Sequence, residues 1–165
     1  IFVNKVITIK ETKLAEFNYK LLLNIVPTGK FLSKFVSDID QNCDICNIVE
    51  DIEHLLFSCK ISKPIWQMIT HGFYKDITVK EIICGRKNSL PFNYCTSFLA
   101  FIIYKYRIIS RNEGRTRSLH GLVNLLMGDI DFKISIYSVI KNHSLKSELI
   151  KLKQILIMNL HELNV

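Results

Sequence analysis

Four residues between positions 43 and 59 have the types and the spacing of a zinc site. They read Cys43-x2-Cys46-x7-His54-x4-Cys59. Structural zinc takes such a set of thiolates and imidazole in a closed tetrahedral shell. The alternative is three buried cysteines beside an unrelated histidine, and the combined spacing makes it the weaker interpretation. We therefore predict that these four residues bind one structural Zn²⁺.

Two segments must bring these ligands together. The two-residue gap allows one tight turn to direct the sulfurs of Cys43 and Cys46 at a single ion. Asp51 and Glu53 precede the second pair, and carboxylates favour a helix N-terminus. We expect His54 to project from the first turn of a short helix and Cys59 to lie just past its end.

The sequence of this region resembles a known family. The ligand spacing, the run from Asp51 to Cys59 and the following Trp66 are similar to the zinc-binding domain found after the reverse transcriptase in LINE-type (non-LTR) retrotransposon polyproteins. Upstream, residues 14–22 and 25–28 resemble the helix that precedes the knuckle in that family. The resemblance is specific over residues 14–66 and is weaker beyond them. We expect Trp66 to pack on the metal module rather than to stack on a base.

The resemblance implies a parent polyprotein that copies its RNA at a nicked chromosomal target. This chain would be a C-terminal segment that holds template RNA or target DNA near the polymerase. Its partners would be the RNA or DNA backbone and the remainder of the polyprotein, in a cytoplasmic ribonucleoprotein and in the nucleus. A first residue other than Met agrees with a piece of a longer polypeptide. The oligomeric state is left open.

Charge is distributed unevenly along the chain, whose net charge is +7. Six acids and no Lys or Arg lie between Asp38 and Cys59, whereas eleven bases and three acids lie between Lys60 and Arg117. An acidic knuckle repels phosphates, so the basic segment is the better nucleic-acid contact. The alternative is a solvated helix end, where cations are favoured in any case. The predicted nucleic-acid-binding residues are Arg86, Lys87, Lys105, Arg107, Arg111, Arg115 and Arg117.

Helical periodicity predicts a mainly α fold, with short helices around a Cys3His zinc knuckle followed by an α-helical bundle. At 165 residues and 48 % hydrophobic composition, the chain can bury a core. We expect an N-terminal helical lead-in over 1–37, a zinc-binding module over 38–72 and a C-terminal bundle over 73–165. Residues 1–9 are predicted to form a short strand or an extended arm, with Thr8 or Thr12 capping the first helix.

Three finer predictions concern packing. Phe31 and Phe35, four residues apart, are expected in the core. A helix from Ser118 is expected to end at Gly128-Asp129, with another over about 132–141. Leucines spaced by four and three residues in the last helix are expected to pack within the bundle rather than to form a coiled coil with a partner. These leucines are Leu145, Leu149, Leu152, Leu156 and Leu163.

No catalytic constellation accompanies the zinc motif. The sequence has no Gly-rich phosphate loop, nucleophile elbow or Tyr-x-Asp-Asp polymerase motif. Asp131-Phe132-Lys133 fits half of a restriction-like nuclease site, but so does Glu11-Thr12-Lys13, and neither follows a Pro-Asp pair. Four protein ligands also leave zinc no position for a water. We expect a non-enzymatic segment of an RNA-directed DNA polymerase. The alternative is a zinc-stabilised helical module that binds protein and no nucleic acid.

Cysteine usage and apolar runs bear on the surroundings of the chain. Cysteines at zinc spacing, with Cys84 and Cys95 left over, favour a reducing compartment over a disulfide scaffold. The longest apolar run, between Asn93 and Lys105, is too short to span a bilayer. We therefore expect an intracellular segment without a membrane partner.

Overall fold

Helices form nearly all of the regular structure in this computed structural model, which describes residues 11–72, 74–75 and 77–163. The strand or arm predicted over 1–9 and the Thr8 cap lie outside the described residues. Within them, a π-helical turn (His54–Ser58) lies between α2 and α3, and one antiparallel bridge joins Asn42 to Val49. The mainly α prediction is confirmed. The α-helices are α1 (Thr12–Leu22), α2 (Gly29–Leu32), α3 (Lys63–Gly72), α4 (Val79–Cys84), α5 (Leu90–Asn112), α6 (Leu119–Val139) and α7 (His143–Leu163).

Hydroxyl side chains cap the first turn of three of these helices. The hydroxyl oxygens of Thr28, Thr78 and Ser118 each accept a hydrogen bond from the backbone N–H three residues further on. Each bond satisfies an amide that has no partner within its own helix. The helix α1 differs, because it follows Glu11 with no side-chain cap. The prediction that Thr12 caps this helix was wrong, since Thr12 is already its first residue.

The helix α5 is the centre of the fold. Residues 92–100 are all buried, and α5 packs against α1, α4, α6, α7 and the π-helical turn. The predicted leucines of α7 pack into the same core, so the expected packing within the bundle is confirmed for the described side chains. None of the described helices is long and apolar enough to cross a membrane. The buried leucines of α7 are Leu145, Leu149, Leu152 and Leu156.

The helix α6 runs without interruption through Gly128 and Asp129. The prediction that a helix ends there was therefore wrong. A glycine inside a helix costs about 1 kcal/mol relative to alanine, but apolar side chains before and after it are buried in one continuous core. Lys105 Nζ also donates to Asp129 Oδ2 over 2.7 Å. Packing thus outweighs the local signal. The buried residues of α6 are Leu122, Val123, Leu126, Ile130 and Tyr137.

The helix α2 is a single turn, and its shortness changes the environment of two aromatic rings. Phe35 is 72 % exposed and Phe31 is half-buried, and their ring centroids lie 5.3 Å apart. The expected core position was therefore wrong for Phe35. A spacing of four residues aligns side chains on one face only while the helix continues, and α2 ends at Leu32.

Candidate metal centre

The first two ligands lie on a tight turn that backbone hydrogen bonds close. Cys43 N donates to Ile48 O, and Asn47 N donates to Cys43 O, both over 2.8 Å. Asn47 has a φ of 55°, a left-handed conformation in which asparagine is several-fold enriched. This conformation reverses the chain directly after Cys46. The turn therefore places Cys43 and Cys46 next to each other, as the two-residue spacing predicted.

The other two ligands are placed by the π-helical turn. Asp51 Oδ1 accepts from His54 N over 2.9 Å and so caps the start of the turn. Cys59 N donates to His54 O over 2.8 Å, which closes the turn across five residues, and Cys59 itself is extended. The positions predicted for His54 and Cys59 at the two ends of a short helix are confirmed. The wider π geometry was not predicted, and such turns are frequent at functional sites.

The four side chains converge with the dimensions of a metal shell. Cys59 Sγ lies 3.8 Å from the Sγ atoms of both Cys43 and Cys46. One donor atom from each of these residues and from His54 falls within 4.8 Å of the others. Sulfurs bound at about 2.3 Å around a tetrahedral zinc lie about 3.8 Å apart, whereas a disulfide needs about 2.05 Å. The cluster has the size of a zinc shell.

The protonation chemistry of the donors also fits a metal. His54 Nε2 is buried and has no hydrogen-bond partner among the described residues, and an orphaned buried nitrogen is costly. Burial lowers the pKa of His54, which favours the neutral imidazole that a metal requires. Burial also raises the pKa of Cys59 to about 12, so a cation is needed to hold it as a thiolate. Bound Zn²⁺ would supply folding free energy and fix the two segments, not perform catalysis.

Trp66 forms part of the apolar shell around this cluster. Its Nε1 donates to Leu56 O over 2.6 Å, and its ring centroid lies 5.5 Å from that of Phe57. The indole is buried and therefore unavailable for stacking on a base. The prediction that Trp66 packs on the metal module is confirmed.

A buried group of charges lies beside the ligands. The side chains of Glu50 and Arg107 are each 3 % exposed, and that of Arg117 is 4 % exposed. Glu50 Oε1 accepts from Arg107 Nη2 and, over 3.0 Å, from Gly29 N, while Glu50 Oε2 lies 3.6 Å from Arg117 Nη2. Asp44 pairs with Arg117 from the other side. The carboxylates of Asp44 and Glu50 also lie near Cys43 Sγ, but arginines already neutralise them.

Sequence reasoning missed Glu50 and Asp44 as parts of this centre. Glu50 precedes Arg107 by 57 residues, and Asp44 precedes Arg117 by 73. No local pattern links residues so far apart. An indirect signal was available for Asp44, because it adjoins the predicted ligand Cys43, and a carboxylate beside a buried site is usually paired with a cation.

The residues predicted to bind nucleic acid fall into three groups. Arg107 and Arg117 are buried in the charge cluster. Arg86 and Lys105 are half-buried and form ion pairs with acids at 2.8 and 2.7 Å. The remaining three are exposed and therefore accessible to a phosphate backbone. They are Lys87, Arg111 and Arg115.

Comparison with known proteins finds a family match in the N-terminal part of the chain. Residues 3–66 match the family model described as zinc-binding in reverse transcriptase. No curated protein and no solved structure matches the chain. The matched residues contain all four converging ligands and end at Trp66. Residues 3–66 of this chain are therefore similar to the zinc-binding domains associated with reverse transcriptase, as the resemblance indicated.

Proposed function

We propose that the chain is the zinc-stabilised, nucleic-acid-binding segment of a non-LTR retrotransposon reverse-transcriptase polyprotein. It holds template RNA or target DNA during target-primed reverse transcription, in the cytoplasmic ribonucleoprotein and in the nucleus. The segment is an accessory to a polymerase elsewhere in the polyprotein and is not itself an enzyme. The observation that carries this proposal is the match to a reverse-transcriptase zinc family over the residues that form the Cys3His cluster.

The end of α5 and the loop before α6 are the proposed contact with phosphates. Arg111 is exposed in the last turn of α5. The side chain of Arg115 is 76 % exposed, and its ion pair with Glu113 at 3.2 Å is open to solvent. Such an exposed pair is weak, so a phosphate can replace Glu113 at little cost. Arginine suits this role because its guanidinium binds phosphate through two parallel hydrogen bonds.

The test neutralises these cations in the zinc-loaded full chain. Arg111→Gln and Arg115→Gln are combined, and binding to fluorescent single-stranded RNA and duplex DNA is measured by anisotropy over a salt series. Each lost phosphate contact should reduce the slope of log K against log salt by about 0.7 for a single strand or 0.9 for a duplex. We expect the double variant to lose about two such contacts. The ligand with the higher affinity distinguishes template RNA from target DNA.

A matched control removes the same charge elsewhere. Lys13→Gln combined with Lys151→Gln takes away two exposed cations that lie outside the predicted basic segment. This control should keep the wild-type slope. If the arginine variant also keeps the wild-type slope and affinity, the proposed contact is wrong. If the wild-type protein binds neither nucleic acid at low salt, the proposed function itself is wrong.

Protein binding is the second candidate, and exposed apolar side chains support it. Val139 is 81 % exposed at the end of α6, followed by Ile140 at 59 %. The leucines of α7, which a coiled-coil partner would have contacted, are buried in the bundle. Binding through an apolar face would survive about 0.5 M NaCl, where exposed charges are screened. A salt-resistant partner that is lost on Val139→Ser would therefore favour this candidate over nucleic-acid binding.

A further inference from the structure

The loop between α5 and α6 returns one side chain to the metal centre. Residues 111–116 are all exposed, but Arg117 is buried beside the zinc ligands. Its Nη2 lies 3.2 Å from Cys43 Sγ and donates a hydrogen bond to it. Arg117 follows Cys43 by 74 residues, so this contact joins the zinc module to the loop that precedes α6.

Acidic side chains hold the guanidinium in this position. Arg117 Nε donates to Asp44 Oδ2 over 3.2 Å, and Nη2 donates to Asp44 Oδ1. On the other side, Glu50 Oε2 lies 3.6 Å from Nη2. A forked guanidinium that contacts a carboxylate through two N–H groups has a fixed orientation. The N–H directed at Cys43 is therefore preorganised.

The net charge of the site with zinc bound indicates what the hydrogen bond from Arg117 to Cys43 would contribute. Three thiolates and one Zn²⁺ have a net charge of −1, and the sulfurs are then strong acceptors. Asp44 and Glu50 add two negative charges beside Cys43, while Arg107 and Arg117 add two positive ones. Without Arg117, two negative charges would remain uncompensated in a partly buried site, which is unfavourable.

We propose that Arg117 is a positioning residue of the metal centre. It stabilises Cys43 as a zinc-bound thiolate and reduces the reactivity of that sulfur towards electrophiles. Zinc retention thereby depends on the loop between α5 and α6. This inference rests on zinc occupying the Cys3His site, and it is independent of whether the chain binds nucleic acid.

The experiment compares the wild-type full chain with its variants, each loaded with zinc or with cobalt. Arg117→Gln should weaken zinc binding by about 10–100-fold in competition with a chelator, the usual effect of losing an outer hydrogen bond to a ligand. The thiolate-to-cobalt charge-transfer band should shift, and alkylation of the metal-bound thiols by iodoacetamide should accelerate. The control is Lys60→Gln, which removes an exposed cation next to Cys59. It should leave all three measurements at wild-type values.

Band position and alkylation rate separate this role from a purely structural one, because lost packing alone would not shift the spectrum of the metal that remains bound. Wild-type affinity, spectrum and alkylation rate in folded Arg117→Gln would overturn the proposal. If that variant does not fold with metal, Arg117→Lys decides. Lysine keeps the positive charge but lacks the two guanidinium N–H groups that contact Asp44. A lower zinc affinity and faster alkylation than in the wild type would support the proposal, and wild-type values would overturn it.

Discussion

Glu50→Gln tests whether the buried charges beside the zinc ligands depend on one carboxylate. The substitution keeps the size of the side chain and leaves an oxygen that can accept from Gly29 N. It removes the negative charge that Arg107 and Arg117 share. We expect a large loss of stability, because the guanidinium of Arg107 stays buried when its paired carboxylate becomes neutral.

The magnitude follows from the burial of the three side chains. After the change and with zinc bound, Arg117 keeps Asp44, whose side chain is 58 % exposed, and the anionic metal shell at Cys43. Arg107 loses the carboxylate it is paired with and keeps a hydrogen bond to the carbonyl oxygen of Pro27 over 3.4 Å. Removing one partner of a buried pair costs about 3–5 kcal/mol. A chain of this length has about 8–25 kcal/mol of folding free energy. The variant should therefore still fold, with its unfolding equilibrium constant raised by about a hundred- to several-thousand-fold.

Urea unfolding with excess zinc measures this loss. Trp66 is the single tryptophan of the chain and is buried against the metal module, so its fluorescence reports unfolding there. Glu53→Gln removes an exposed carboxylate three residues away and should change the free energy of unfolding by less than about 0.5 kcal/mol. A loss below about 1 kcal/mol in Glu50→Gln, at an unchanged denaturant slope, would refute the reasoning.

A double substitution separates unpaired charge from lost packing. Glu50→Leu combined with Arg107→Met removes one charge of each sign and leaves Arg117 with Asp44. If unpaired charge is the cause, this double variant should be more stable than Glu50→Gln alone. Equal or greater destabilisation would attribute the effect to packing.

Two further predictions concern the metal and pH. Cys46→Ser should abolish stoichiometric zinc binding and expose Trp66 to solvent, because the metal supplies folding free energy. Cys84→Ser, outside the cluster, should keep its zinc by atomic emission, and a fully loaded, normally stable Cys46→Ser would contradict the site. Burial alone would raise the pKa of Glu11, but hydrogen bonds from Lys133, Tyr137 and Tyr94 lower it below its ordinary 4.5. Its contribution to stability is therefore complete above about pH 4.5 and is lost as pH falls through the lower folded-state pKa. Wild-type stability should fall more steeply below about pH 4.5 than that of Glu11→Gln, and parallel pH curves would contradict this expectation.

Local chemistry made the metal centre predictable from the sequence. The gap between Cys43 and Cys46 is a property of one turn, and His54 and Cys59 lie at the two ends of a single short element. Each pair is therefore fixed within a few residues, and a tetrahedral ion leaves few ways of combining the pairs. Trp66 follows the same logic, because it lies close enough along the chain to pack on that element.

Tertiary packing decided what the sequence did not indicate. Gly128 disfavours a helix locally, but the buried face of α6 continues across it. Phe35 has helical spacing from Phe31, but the helix stops before reaching it. Arg107 and Arg117 are cations in a basic segment, where exposure to phosphate was the natural expectation. Their burial depends on Glu50 and Asp44, whose distance along the chain hides the pairing.

The carboxylate of Glu50, shared by Arg107 and Arg117, has a practical consequence for grafting the zinc module onto another protein. A graft cut at the end of the family match would bring the four ligands and Glu50 but neither guanidinium. The orphaned acid would then lie beside an anionic metal shell with nothing to neutralise it. A functional transplant therefore has to include the last turns of α5 and the loop as far as Arg117, or replace Glu50 with an apolar side chain.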